Sequence, residues 1–87
     1  MKRQKLVEIK SPIVGRVYLH PDAPNSNKPA CVKVGSHVNP KTIVCLVEAM
    51  MVFIEVKADV RGKIVKRLIT DGQLVEYEQV LFKIRRD

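Results

Sequence analysis

No tryptophan occurs in this chain, and tyrosine and phenylalanine contribute two residues each, 5% together. So few aromatics exclude a base-stacking platform of the usual kind for nucleic acid. No apolar run approaches the roughly 18 residues that a transmembrane helix needs. The basic start Met1-Lys2-Arg3-Gln4-Lys5 is not followed by an apolar core and a small-residue cleavage site. Secretion is therefore not expected, and a cytoplasmic location is. Cysteine is limited to Cys31 and Cys45, whose spacing fits no metal motif. Both read as reduced thiols, and Cys45, set in an apolar stretch, reads as a small buried hydrophobe. His20 and His37 stand alone and receive no metal role. Paired carboxylates, Ser/His or Cys/His constellations and phosphate-cradling glycine loops are all missing, so no free-standing enzyme is read here.

What remains is one small domain, 1–87, with 46% hydrophobic residues. A chain this size buries about 60 to 65% of its unfolded surface, enough for one thin core. Sixteen Lys and Arg against nine Asp and Glu give a net charge of +7 and a pI near 9.7. The cations gather at Lys2 to Lys5 and Lys83 to Arg86, with the rest scattered along strands. A solvated basic surface is the plainer account. A small all-β nucleic-acid-binding module is the alternative, and it predicts steeply salt-dependent binding.

The chain is organised around Val44 to Val56, two runs rich in β-branched residues that meet at Glu48 to Met51. This pattern predicts a hairpin. Hairpin turns are usually marked by Asn-Gly or Asp-Gly, yet here the tip carries Met50 and Met51. Either two apolar side chains are presented there for a purpose, or they fold back as adaptable filler.

Further strands are read at Leu6 to Ile9, Val14 to Leu19, Ala30 to Val34, Lys63 to Ile69 and Val80 to Ile84. Almost no helix is expected, because no 3.6-residue periodicity is sustained. Residues 20–30 are polar and proline-rich, a loop. An internal repeat crosses this pattern. Lys10 to Val17 matches Lys57 to Ile64 at an offset of 47 (62 minus 15). Gly35 to Val38 and Ile43-Val44 match Gly72 to Val75 and Val80-Leu81 at an offset of 37 (72 minus 35). The difference of ten residues is the proline-rich loop. Half-repeats at about 8–49 and 52–85 should then pack as a flattened all-β sandwich about a pseudo-twofold axis, with the hairpin tip far from the termini. Gly15, Gly35, Gly62 and Gly72 fit bends rather than a ligand.

Glu48-Ala49-Met50 in such a hairpin resembles the biotinyl domain of biotin carboxyl carrier proteins. The likeness continues through Val52-Phe53, Glu55, Ala58-Asp59, Gly62, Gly72, Val75-Glu76 and Val80-Leu81. It runs back through Ser11-Pro12, Gly15, Val34-Gly35 and Val38, and so covers about Glu8 to Ile84. The related lipoyl domains, with Asp-Lys-Ala at the turn, are a poorer match. The resemblance implies an eight-stranded flattened barrel-sandwich hybrid that carries a cofactor without catalysing a reaction. Loop 20–30 resembles the thumb of carriers in bacterial-type acetyl-CoA carboxylase, the enzyme of fatty acid biosynthesis. Biotin carboxylase and carboxyltransferase subunits and biotin protein ligase are the partners this implies, with no nucleic acid or membrane. Ala49, Met50 and Val52 would flank the modified residue. Glu48, Met50 and Glu76 would meet the ligase, although the two glutamates serve solubility at a turn equally well.

One position breaks the pattern. The family's biotin-accepting lysine falls at position 51, and here that residue is Met51. Amide formation needs an amine nucleophile, which a thioether lacks. The nearest downstream lysine, Lys57, is six residues on, roughly 20 Å of extended strand. No covalent biotin is expected on this sequence. Ile54 also departs from a position that is often Asn in the family. The chain is then either a carrier inactivated at Met51 or a natural pseudo-carrier with an assembly or regulatory role. Plant biotin attachment domain-containing proteins are pseudo-carriers of that kind.

Overall fold

The computed structural model describes residues 5–24 and 26–87; the basic residues 1–4 and Asn25 of the proline-rich loop lie outside them. Eight strands follow in order: β1 (Leu6–Lys10), β2 (Gly15–Tyr18), β3 (His37–Val38), β4 (Ile43–Ala49), β5 (Val52–Lys57), β6 (Gly62–Arg67), β7 (Leu74–Val75) and β8 (Val80–Arg86). There is no helix among the described residues, and so none that could cross a membrane. The strands form two four-stranded antiparallel sheets, ordered β1-β8-β6-β3 and β5-β4-β2-β7. They pack face to face as a flattened barrel-sandwich.

The repeat is written into this topology. Exchanging β1 with β5, β2 with β6, β3 with β7 and β4 with β8 turns one strand order into the other. The hydrogen bonds obey the same exchange. Val17 N–H donates to the Gln73 carbonyl (2.8 Å) and Gly72 N–H to the Val17 carbonyl (2.7 Å). In the other copy Ile64 N–H donates to Ser36 (2.9 Å) and Gly35 N–H to Ile64 (2.8 Å). Each half thus lends its shortest strand to the sheet of the other, and neither half can close alone.

Side chains alternate across each strand. The inward set, including Val17, Val47, Ile64, Phe82 and Ile84, is fully buried and makes one continuous core. Two glycines let the sheets close. A Cβ on Gly15 would strike the Glu48 carbonyl oxygen, and one on Gly62, its repeat partner, the Arg85 carbonyl oxygen.

Two expectations need correction. Ala30 to Val34 is not a strand. Cys31 N–H bonds the Leu19 carbonyl (2.8 Å), Val32 dips into the core, and the chain turns at Val34-Gly35, leaving only His37–Val38 in the ladder. Leu68 and Ile69 likewise lie beyond the end of β6. The proline-rich loop closes on itself. His20 Nδ1 donates to the Lys28 carbonyl (2.7 Å), and Lys28 pairs with Asp22 (2.9 Å). Its entrance is tied down where Leu19 N–H donates to Asp71 Oδ1 (2.7 Å).

Candidate functional site

The β4–β5 hairpin pairs Ile43 with Lys57 at its base and Ala49 with Val52 at its tip. Only Met50 and Met51 connect the strands, with φ of 52° and 67°. Both central residues are left-handed, as a type I′ turn requires. Non-glycine side chains in that region cost about 1 kcal/mol each. The reading in which these methionines fold back onto a neighbouring surface is wrong: Met50 is 94% exposed and Met51 91%. The turn holds two long apolar side chains out in water despite local strain.

The residues around the tip follow from register. Phe53, Glu48, Arg16 and Leu74 lie opposite one another in a row across β5, β4, β2 and β7 on the solvent face. Glu48 does local work, its Oε2 accepting the Met51 N–H at 2.8 Å. Arg16 Nη1 donates to the Gly72 carbonyl (2.6 Å), and Tyr18 leans on Phe53 with ring centroids 5.9 Å apart. Neither Arg16 nor Tyr18 was singled out by sequence reasoning. Their alternation along β2 was the available signal. Ala49 is half-buried and Val52 exposed. Glu76 is exposed just past β7. Because β7 runs antiparallel to β2, Glu76 emerges at the same end of the sheet as the tip, two strands or ~10 Å to the side.

The opposite end holds Lys5 and the last two residues, Arg86 and Asp87. Arg86 N–H bonds the Lys5 carbonyl (2.9 Å), and Asp87 N–H bonds Arg61 (3.0 Å) in the connection leaving the base of β5. Lys57 closes that base, and no residue from Thr42 to Val56 is a lysine. Cys45, within β4, is fully buried, and burial, with a contribution from Cys31, pushes its thiol up to about 12. Burial also raises the Cys31 thiol.

Two half-repeats presenting one tight turn match the family described as "Biotin-requiring enzyme" over residues 7–84. The chain belongs to that family. Relatives include the biotin carboxyl carrier protein of acetyl-CoA carboxylase from Chlamydia pneumoniae, 48% identical over 91% of this chain and 46% of the relative. The carrier of the same name from Nostoc sp. is 39% identical over 97% of this chain and 44% of the relative. The chain thus spans about half the length of these curated relatives. Among solved structures, the urea carboxylase of Kluyveromyces lactis superposes with a TM-score of 0.73 at 27% identity, covering 97% of this chain and 6% of that one.

Proposed function

We propose that this chain is a non-catalytic, carrier-type domain of a biotin-dependent carboxylase of the acetyl-CoA carboxylase class, silenced at position 51. The observation that carries the proposal is the two-residue tip. It is the most exposed point of a hairpin in a family of biotin-requiring enzymes, and it offers a thioether where an amine is needed. The residues present do not fit covalent biotin, because methionine has no nitrogen to acylate and Lys57 is at the far end of β5. No carboxyl transfer is assigned to this chain.

The fold and the loop over residues 20–30, read as the thumb of such carriers, support retained contacts with biotin carboxylase and carboxyltransferase subunits in the cytoplasm. A pseudo-carrier would occupy a carrier's place in the assembly without delivering cofactor. Ile54, half-buried opposite Val47, favours natural divergence over a single inactivating change. Glu48, Met50 and Glu76 at the tip end are the residues assigned to biotin protein ligase, with Ala49 and Val52 flanking position 51.

Intact mass after treatment with biotin protein ligase, ATP and biotin tests this reading on the chain and on Met51→Lys in parallel. Only Met51→Lys is expected to gain biotin. If neither does, the ligase surface has diverged as well and the silenced carrier gives way to the pseudo-carrier. A biotin on the unaltered chain overturns the proposal.

A further inference from the structure

The two sheets share one plan, yet their solvent faces carry different charge. On the β5-β4-β2-β7 sheet Arg16 lies opposite Glu48, and Tyr18 lies opposite Leu46. On the β1-β8-β6-β3 sheet Lys63 lies opposite Arg85, and Lys66 lies opposite Lys83. The repeat offsets make Lys63 the counterpart of Arg16 and Arg85 the counterpart of Glu48. An attractive cross-strand pair in one copy is a repulsive one in the other. Like charges placed directly opposite destabilise a sheet, so the fold does not ask for this arrangement. Its own second copy does without it.

We propose that the solvent face of the β1-β8-β6-β3 sheet docks an acidic protein segment. Lys10, Lys63, Lys66, Lys83 and Arg85 all point outward there, with Glu8, opposite Lys83, the one carboxylate among them. None of the five cations has a carboxylate partner within 4.0 Å among the described residues, whose one ion pair is Lys28–Asp22 in the long loop. Lys63, Lys83 and Arg85 are half-buried, and long cationic side chains in such positions cover apolar surface with their stems and keep the charge in water. The strands set these heads on a grid of about 4.8 Å across and 6.8 Å along. An extended acidic chain offers carboxylates on alternate residues at the same 6.8 Å or so. Nucleic acid fits less well, since no Phe, Tyr or Trp of these four strands faces outward, His37 opposite Lys63 is the one ring they present, and Glu8 would meet a phosphate. Docking relieves the Lys63–Arg85 and Lys66–Lys83 repulsions, which gives the partner differential affinity for this face.

The full chain is titrated with three probes at two salt concentrations: poly-L-glutamate, a DNA duplex of equal charge, and phosphatidylserine/phosphatidylcholine vesicles. Lys63→Glu/Lys83→Glu/Arg85→Glu is compared with Lys28→Glu/Lys41→Glu/Lys57→Glu, which changes net charge equally off that face. The first triple is expected to weaken poly-L-glutamate binding roughly tenfold more than the second, with amide shifts confined to β6 and β8. The neutral replacements Lys63→Gln, Lys83→Gln and Arg85→Gln should reproduce a smaller loss and guard against misfolding. Equal loss in both triples, or tighter binding to DNA or vesicles than to poly-L-glutamate, overturns the proposal.

Discussion

The carboxylate of Glu48 accepts the backbone N–H of Met51 at 2.8 Å, bridging the hairpin tip from the strand that enters it. A two-residue turn leaves that N–H outside the ladder, and an unpaired donor there would fall to water. Glu48 therefore holds the left-handed backbone of the tip in a single geometry. The residue assigned to ligase contact also builds the surface on which contact would occur.

Replacing Glu48 with Ala should loosen the tip at small global cost. The bond is exposed, so a loss of about 0.5–1 kcal/mol is expected. Thermal unfolding should show a Tm lower by roughly 3–6 °C. Glu48→Gln, which keeps an acceptor oxygen, should recover most of it. Equal losses in both variants would mean that charge, not the hydrogen bond, is what Glu48 supplies.

The strain at the tip should be removable. Met50→Asn with Met51→Gly provides the residues that type I′ turns favour, and a gain of about 1–2 kcal/mol is expected from relief at φ 52° and 67°. Urea denaturation measures it. An unchanged or lower midpoint would show that the methionines contribute stabilising contacts.

Gly15→Ala and Gly62→Ala should each destabilise by about 2–3 kcal/mol, since the new methyl meets a backbone carbonyl across the sheet. The two losses should be similar because the repeat makes the sites equivalent. Denaturant midpoints of the two variants test this, and a cost confined to one site contradicts the equivalence.

Cys45 should make the fold sensitive to alkali. Its folded-state thiol sits near 12 against an ordinary value of 9.0. Below pH 9 both states keep the proton. Above it the unfolded chain loses the proton first, so stability falls by about 1.4 kcal/mol per pH unit toward pH 12. The difference in stability between the parent and Cys45→Ala should therefore shrink between pH 9 and 11, as followed by urea denaturation. A constant difference would remove Cys45 from the alkaline transition.

The hairpin, the half-repeats and the lack of lysine at the tip are legible in the residues alone. Apolar runs rich in β-branched residues, such as Ile43 to Val47, state their own conformation, and the glycine spacings state the symmetry. The sequence could not reveal β3 and β7, whose two residues carry no pattern and become strands only by pairing with the other half. Ala30 to Val34 has strand composition, but Val32 points into the core while its backbone stays out of the ladder. That Glu48 closes the turn, and that cations scattered through the chain share one face, emerges from the folded arrangement. Residue 63 meets residue 85 because sheet register joins strands distant in sequence, and alternation then sends both side chains to the same side.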